Sequence, residues 1–350
     1  MPAPVPAPLP PAKPSSRTPE PPLHVVFCLL PDFPMLAFAS AIEPLRMANR
    51  MAGRPAFRWS LVSPDGEAAR ASNGIALTVD GGLIDAAGGR PGGLIEAAQP
   101  DYAFVVAGLD VERHSRPPVK RWLRMLAKRG VAVGGISSAA HVLADAGLLD
   151  NRRCAVHWEN LPALAERFPQ VDARQELCVI DDNIYTCAGG TAAIDMMLHV
   201  IARHVDEAIA GKVADQCILG SVRPLDQRQR QPMGRDLRRA SPLVAAAAKL
   251  MEDHLASPLA LAALPGRLGL SRRQVERQFK RDLGMSPARY YMQLRLERAR
   301  HLLLQTALPV IDVAIACGFV SASHFSKSYR RQFRRAPQDE RRGGGGVALW

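Results

Sequence analysis

The sequence predicts two folded domains, an α/β domain with a flavodoxin-like parallel sheet followed by an all-α domain with two helix-turn-helix motifs. Apolar strand-like segments alternate with helix-periodic segments over residues 23–218. A polar segment with proline and glycine follows at 219–240, and the pattern of residues 241–338 is then almost wholly helical. The net charge divides in the same way: residues 1–234 carry 24 basic and 24 acidic residues, whereas residues 235–350 carry 21 and 9.

This division of charge limits the classes of function. A neutral domain joined to a basic domain indicates that only the second meets a polyanion, with nucleic acid favoured over an anionic membrane surface. The six cysteines form no C-x-x-C pair, which favours reduced, buried thiols in a cytoplasmic protein without a metal site. We expect no cofactor. We expect no secretory signal, because the sequence does not begin with a basic segment followed by an apolar one. We expect no membrane span, because no apolar run reaches ~18 residues.

The α/β domain is expected to follow a disordered, proline-rich tail at residues 1–22. Its predicted elements are strands at 23–30, 57–63, 102–108, 131–135, 154–158 and 176–180, and helices at 35–51, at 119–129 and after a capping Thr191. We interpret residues 219–240 as the linker between the domains and residues 339–350 as a flexible tail.

Two segments of the basic domain share one pattern. At 259–284 and again at 310–333, a short apolar-periodic helix turns at Gly269 or Gly318 and a second helix restarts at a capping serine. Between them, residues 286–306 predict one unbroken helix, a rod that spans ~30 Å. Two recognition helices on such a rod would meet successive major-groove faces, which lie ~34 Å apart.

Each recognition helix is predicted to bury one face and to offer the other to DNA. Val275 and Phe279 face inward in the first helix, and Phe325 and Tyr329 do so in the second. Arginines of the first helix are the expected base readers, because arginine on guanine is the commonest specific contact. Either helix alone could instead carry an ordinary solvated charged face. The predicted DNA-binding residues are Arg272, Arg273, Glu276, Arg277, Lys280, Ala322, Ser323, Ser326, Lys327, Arg330 and Arg331.

The basic domain closely resembles the AraC/XylS family of transcription regulators. The resemblance rests on "GLSRRQVERQFKRDLGMSPARYY", "LRLERARHLLLQT" and "IACGFVSASHFSKSYRRQF". It implies that the outward-facing positions contact bases. One departure is "LALAALPGRLGLS", which places Pro265 and Gly266 where the family's first scaffold helix runs through with alanine. A proline inside a helix costs ~3 kcal/mol, but one near the first turn is tolerated.

The α/β domain is similar to the PfpI/ThiJ-type, class I glutamine-amidotransferase-like superfamily. The similarity rests on "ASAIEPLRMANRMAG", "RASNGIALTVDG", "VAVGGISSAAHVLADAGLLDNRR", "VHWENLPAL" and "CAGGTAAIDMMLHVIA". In the enzymatic branch, a strand-to-helix turn called the elbow carries a cysteine, supported by a glutamate and a histidine. Here the resemblance puts Ser137 at the cysteine, Ala139 at an expected glycine and Ala37 at the supporting carboxylate, so it implies a sensor and no enzyme.

Catalysis at this elbow would need a general base, because a serine hydroxyl is a weak nucleophile at neutral pH. His157 is the only plausible base in the motifs of this domain, whereas His141 is expected to pack within the elbow helix. A Ser137–His157–Glu159 triad is conceivable but is not a known arrangement for this fold. We therefore predict no catalytic residues.

A ligand pocket is expected at the elbow instead, since open α/β sheets bind ligands at the carboxyl ends of their strands. Hydroxyl and N–H groups of the serines would hold a carboxylate, and a glutamate and a tryptophan would hold an ammonium group. The predicted pocket residues are Glu43, Asn73, Ser137, Ser138, His157, Trp158 and Glu159. Three have structural alternatives: Glu43 would pair with Arg46, Trp158 would be core, and Asn73 would shape a turn.

Together these features predict a cytoplasmic transcription regulator, an activator that binds double-stranded promoter DNA and works with RNA polymerase. The resemblance implies a small nitrogenous effector, such as an amino acid or a betaine- or carnitine-like zwitterion. We expect a homodimer joined through the long helices at 191–218. The alternatives are a promoter-bound hydrolase or amidotransferase that uses Ser137, and a DNA binder that needs no effector.

Overall fold

Most of both predicted domains is described by the structure, a computed structural model. It describes residues 21–83, 100–108, 110–229, 240–255, 257–305 and 308–343. The predicted tail up to residue 20, residues 230–239 of the predicted linker and residues 344–350 lie outside the described residues. In the described part, no helix is both long and apolar enough to cross a membrane.

A seven-stranded sheet forms the centre of the α/β domain. Its strands are β1 (Leu23–Leu29), β2 (Phe57–Ser63), β5 (Gly81–Gly82), β6 (Tyr102–Ala107), β7 (Ala132–Ser137), β10 (Cys178–Asp181) and β11 (Ile184–Cys187). The order across the sheet is β10-β11-β7-β6-β1-β2-β5, and every neighbouring pair is parallel except β10 with β11. Two small sheets lie apart, β3 (Ala69–Arg70) with β4 (Ala76–Leu77) and β8 (Arg153–Ala155) with β9 (Asp172–Arg174).

Helices cover both faces of the large sheet, because the strand side chains alternate between two apolar cores. The helices are α1 (Met35–Ala52), α2 (Val111–His114), α3 (Pro117–Lys128), α4 (Ala140–Asp145), α5 (Leu161–Arg167), α6 (Ala192–His204) and α7 (Glu207–Gln216). Phe27 and Leu29 of β1 pack in one core with α1 and α6, and Val26 and Cys28 pack in the other with α3 and α4. Strands buried on both faces appear as continuous apolar runs, which confirms the predicted fold class.

The last strands differ from the predicted parallel series. Cys178 of β10 lies opposite Cys187 of β11 in an antiparallel register. Only Asp182 and Asn183 join the two strands, and a connection this short can form a hairpin but not a parallel crossover. Asp182 takes a φ of +56° to make the turn. The strand predicted at 154–158 reduces to β8, outside the large sheet, and β11 was not predicted.

The segment predicted to begin the linker is hydrogen-bonded to the α/β domain. Arg223 donates from Nε and Nη2 to the carboxylate of Asp195, at 3.0 and 2.5 Å, and Asp195 is 1% exposed. Thr191 precedes α6 as predicted, but its side chain does not cap the helix. Its hydroxyl accepts a hydrogen bond from Arg223 at 3.0 Å and none from a backbone N–H of the helix. The Gln229 amide donates to two carbonyls of the domain at 2.8 and 2.9 Å. The α/β domain therefore extends to residue 229, beyond the predicted boundary.

The second domain is helical throughout its described elements. They are α8 (Pro242–Glu252), α9 (Leu264–Arg267), α10 (Arg272–Leu283), α11 (Pro287–Gln305), α12 (Val310–Ala316), α13 (Ala322–Phe333) and α14 (Pro337–Gly343). One core gathers Val275 and Phe279 of α10, and another gathers Phe325 and Tyr329 of α13. Helix α11 contributes to both cores, so it joins the two helix-turn-helix units as predicted.

Helix α14 extends into the segment predicted to be a flexible tail from residue 339. Glu340 is 4% exposed and accepts a hydrogen bond from Arg300 Nε at 3.1 Å. This ion pair, between the partly exposed Arg300 and the buried Glu340, links α14 to α11, and the helix continues to Gly343.

The two domains touch where α5 packs on α11. Ala163 of α5 is 1% exposed and belongs to the core of the second helix-turn-helix unit. The rings of Trp158 and His301 meet edge to face, with centroids 5.3 Å apart. The rod that carries both recognition helices is therefore in direct contact with the α/β domain.

Candidate DNA interface and candidate effector site

The first recognition helix, α10, is capped at its start and anchored by its inner face. Ser271 Oγ accepts from the Gln274 N–H at 3.3 Å while Gln274 Oε1 accepts from the Ser271 N–H at 2.8 Å, which is a capping box. Val275 and Phe279 are 1% and 0% exposed. The residues predicted to bind DNA on this helix are all exposed, namely Arg272, Arg273, Glu276, Arg277 and Lys280. Its free face thus offers mainly cationic side chains.

The second recognition helix, α13, repeats this construction with different outward residues. Ser321 Oγ accepts from the His324 N–H at 3.3 Å, and Phe325 and Tyr329 are both 0% exposed. Ser326 is half-buried. The remaining predicted DNA-binding residues of this helix are exposed, namely Ala322, Ser323, Lys327, Arg330 and Arg331. The start of this face is small and neutral, and its end is cationic.

Pro265 lies in the first turn of α9, a helix of four residues. Backbone N–H groups in a first turn have no acceptor within the helix, so proline deletes no helical hydrogen bond there. The Pro265 carbonyl still accepts from the N–H groups of Leu268 and Leu270, at 3.1 and 2.9 Å. Gly269 then takes a φ of +67°, which favours glycine at this turn. The first scaffold helix therefore accommodates the proline at its start.

The rod α11 has 19 residues, which corresponds to ~28 Å. Near its middle, Arg295 donates from Nε to the Cys317 carbonyl at 2.9 Å and from Nη2 to the Gly318 carbonyl at 2.7 Å. The same guanidinium lies 4.1 Å from the centre of the Phe319 ring. These contacts fasten the turn of the second helix-turn-helix unit to the rod. Gly318 has no room for a side chain, since a Cβ there would lie 2.3 Å from Pro258.

The elbow of the α/β domain has the geometry predicted for it. Ser137 ends β7 with a φ of +67°, a strained conformation for a residue other than glycine. Gly189 packs so closely that a Cβ on it would lie 2.5 Å from Ser137 Cβ. Ser138 is 2% exposed, and its hydroxyl donates to the Gly108 carbonyl. The Ser138 side chain is therefore already occupied and does not offer a hydroxyl to a ligand.

The candidate general bases for the elbow serine make other contacts. Among the described residues, no hydrogen bond joins Ser137 to a histidine. His157 Nδ1 lies 3.6 Å from Glu159 Oε2, its ring packs beside Trp158, and burial lowers the pKa of His157. His141 is 3% exposed in α4, where burial lowers its pKa to about 4. The structure thus brings His157 and Glu159 together without linking them to Ser137.

The other predicted pocket residues are also dispersed. Arg46 Nη2 lies 2.6 Å from Glu43 Oε2, so Glu43 has the ion-pair partner of its structural alternative. Asn73 is exposed, and its Oδ1 accepts from the Ile75 N–H at 3.1 Å within a turn. Trp158 lines a cavity between the two domains and not the elbow. The seven predicted residues therefore do not line a single pocket at the elbow.

A cavity that the sequence reasoning missed lies at the carboxyl ends of β1 and β2. It has a volume of about 260 Å³. Its charged or ionisable lining residues are Asp65, Glu67, Arg70, His114 and Arg116. The strand order turns back at β1, which lies between β6 and β2, and such a switch point is where open α/β sheets bind ligands. The charged residues that follow β2 are visible in the sequence, but the strand order is needed to place them at a switch point.

Two capped recognition helices on one long helix, joined to an α/β domain, are the architecture of a DNA-binding transcriptional regulator. Models of two families match the chain: the DJ-1/PfpI family over residues 25–203 and a helix-turn-helix domain over residues 264–343. A crystal structure of an AraC family transcriptional regulator from Pseudomonas putida is 28% identical and covers 56% of this chain and 100% of that chain, with a TM-score of 0.49.

Relatives match along most of the chain. The HTH-type transcriptional regulator CdhR of Pseudomonas aeruginosa is 41% identical over 315 residues, which cover 90% of each chain. GbdR of the same species is 39% identical, over 94% of this chain and 86% of that protein. GlxA of Rhizobium meliloti is 35% identical, over 92% and 96%. The chain belongs to this family of HTH-type transcriptional regulators, which confirms both predicted resemblances.

Proposed function

We propose that the chain is a transcriptional activator whose affinity for DNA is controlled by a small nitrogenous metabolite. The metabolite binds at a site separate from the DNA-contacting residues of the helical domain. The observation that supports DNA binding is the pair of capped helices, α10 and α13. Each buries an aromatic side chain on its inner face and exposes basic side chains on its outer face. Arg273 and Arg277 contact base edges, and Arg330 and Arg331 contact phosphates.

The α/β domain acts as a sensor without turnover. Support comes from Ser137, which occupies a strained elbow but has no hydrogen bond to a histidine among the described residues. The supporting carboxylate position falls on Ala37, which is 0% exposed and carries no acid. Promoter-bound hydrolysis at Ser137 is therefore the weaker candidate.

The active form is a cytoplasmic homodimer that works with RNA polymerase. Helix α6 is largely buried against α1, so the dimer contact predicted at 191–218 would use the outward side of α7. A dimer would give two DNA-binding domains avidity for paired half-sites.

Fluorescence anisotropy of the full chain on a selected operator tests this proposal. A nitrogenous metabolite should change the affinity at least about fivefold, a typical allosteric coupling. The metabolite should be recovered unchanged after incubation with the protein, as measured by mass spectrometry. Consumption that the Ser137→Ala variant abolishes would favour the enzyme, and indifference to every metabolite would favour a DNA binder without effector.

A further inference from the structure

The turn of the second helix-turn-helix unit is one residue longer than the turn of the first. In the first unit, a single residue separates Gly269 from the capping Ser271. In the second unit, two residues, Phe319 and Val320, separate Gly318 from the capping serine. The second recognition helix, α13, is therefore preceded by an additional residue.

Val320 is that additional residue, because Phe319 has a counterpart in the first unit. Phe319 is 4% exposed, and its ring meets the Phe325 ring in the core with centroids 5.1 Å apart. Leu270 packs in the same way against the core of the first unit. Val320 is fully exposed, and among the described residues it belongs to none of the apolar cores.

The backbone that carries Val320 is held in place. Arg295 of the rod α11 donates to the carbonyls of Cys317 and Gly318, and its guanidinium lies over the Phe319 ring. Valine is branched at Cβ, so its side chain has little rotational freedom to lose on contact with a partner. The second turn therefore presents a rigid apolar group to whatever meets the start of α13.

Exposed apolar side chains are common on protein surfaces, so the position of Val320 is what matters. The first residues of a recognition helix are those that contact base edges in the major groove. The residues that follow Val320 and the cap are Ala322 and Ser323, which are exposed, small and neutral. The exposed cations Lys327 and Arg330 come later on the helix, where they suit phosphates. Val320 thus lies at the base-facing end of α13.

The side chains of Val320 and Ala322 have no hydrogen-bonding group, which limits what they can recognise on a base. Among the groups that the four bases show in the major groove, the thymine C5 methyl group is the apolar one. Contact with this methyl group removes apolar surface from water on both molecules, and it distinguishes thymine from cytosine.

We infer that Val320 is a base-reading residue and that, together with Ala322, it contacts the C5 methyl group of at least one thymine in the DNA box bound by the second unit. The inference rests on the proposed function and adds to it the base chemistry of the second box. The two units would then read different groups, the first through arginine hydrogen bonds and the second through apolar contact.

Deoxyuridine tests the inference directly, because it pairs as thymidine does and lacks only the methyl group. An operator is selected from random DNA with the full chain, and its second box is the one whose preference Arg277→Ala leaves unchanged. Each thymine of that box is then replaced in turn. At least one replacement should weaken binding about threefold to fourfold in anisotropy titrations, the effect of burying one methyl group.

Val320→Ala assigns this sensitivity to the side chain. The variant should bind the unmodified operator about threefold more weakly, and the same deoxyuridine should change its affinity less than about twofold. Its salt slope should equal that of the wild-type chain, because no phosphate contact is lost. Its thermal unfolding should also be unchanged, since Val320 is fully exposed.

Ile311→Ala is the matched control. Ile311 is another exposed apolar residue of the second unit, but it lies on the scaffold helix α12 and not at the start of α13. This variant should keep the affinity of the wild-type chain and its full sensitivity to deoxyuridine.

Three results would overturn the inference. They are a second box without an enriched thymine, a second box in which no deoxyuridine weakens binding, and equal sensitivity of Val320→Ala and the wild-type chain. Reduced transcription by Val320→Ala with unchanged operator affinity would also overturn it, because the side chain would then meet a protein partner.

These failures are distinguishable from failure of the proposed function. If any of them occurs while a metabolite still changes operator affinity, the effector-controlled regulator stands and Val320 does not read thymine. If deoxyuridine weakens binding through Val320 but no metabolite changes operator affinity, the base reader stands and effector control fails.

Discussion

The two helix-turn-helix units have the same interior and different exteriors. In each recognition helix, two buried residues four positions apart face a small core, Val275 with Phe279 and Phe325 with Tyr329. The outward residues share no such constraint, and α10 begins with arginines where α13 begins with alanine and serine. The comparison teaches that burial fixes the shape of each unit, while its exposed residues are free to take different roles on DNA.

The two units also differ in the length of their scaffold helices and in their contacts with the rod. The first has a four-residue scaffold helix that contains Pro265. The second has a seven-residue scaffold helix, and its turn is fastened to the rod by two hydrogen bonds from Arg295. We interpret the first unit as the main base reader and the second as a weaker base reader whose cationic end also anchors on phosphates.

The largest expected effect comes from the shared interior. Phe279→Ala and Phe325→Ala should each destabilise the helical domain by ~3–5 kcal/mol, because each deletes a fully buried ring and leaves a cavity. Urea unfolding measures the loss, and Arg273→Ala is the control with an exposed side chain. A loss below ~1 kcal/mol in one unit only would show that the two interiors are not equivalent.

The next effect separates base readers from phosphate contacts. Arg277→Ala should cost ~1–3 kcal/mol of DNA affinity and relax the preference for one base position. Arg330→Ala should weaken binding to all sequences about equally and lower the salt slope by about 1. Binding titrations on operator and scrambled DNA at several salt concentrations distinguish the two results. If both variants behaved alike, the division of roles between the units would be wrong.

Smaller effects are expected at the helix caps. Ser271→Ala and Ser321→Ala each remove an acceptor for a free helix N–H, at a cost of ~1 kcal/mol. Ser271→Ala should lower the stability more than Ser321→Ala, because Ser271 also forms a capping box with Gln274. Thermal unfolding of the two variants gives the comparison, and a larger loss at Ser321 would contradict it.

The smallest effect is expected at Pro265. Because it occupies a first turn, Pro265→Ala should change operator affinity by less than about twofold. A gain of about tenfold, which is ~1.4 kcal/mol, would mean that the proline impairs the first unit. Anisotropy titrations on the same operator measure either outcome.

The sequence predicted the features that depend on nearby residues. The helix-turn-helix units were predictable because the caps, turns and buried pairs of each lie within about two dozen residues of one another. The elbow at Ser137 was predictable for the same reason. The hairpin of β10 and β11 was missed because its pattern resembles that of a buried parallel strand.

The cavity between the two domains was the least predictable part, because it depends on contacts between distant segments. Trp158 follows a strand, which favoured a place at the elbow, but β8 lies outside the large sheet and Trp158 meets His301 of the other domain. Glu252 and Glu297 lie on helices with no local sign of a ligand. Only the structure shows that both residues line the same cavity as Trp158.

Selection of binding sites from random DNA by the full chain is the most direct test of the central claim, that two units on one rod contact DNA together. We predict two enriched sequence boxes per chain, with centres about 10.5 base pairs apart, the spacing of successive major-groove faces. We also predict that Arg277→Ala relaxes only one box. A single enriched box, or none, would contradict the account.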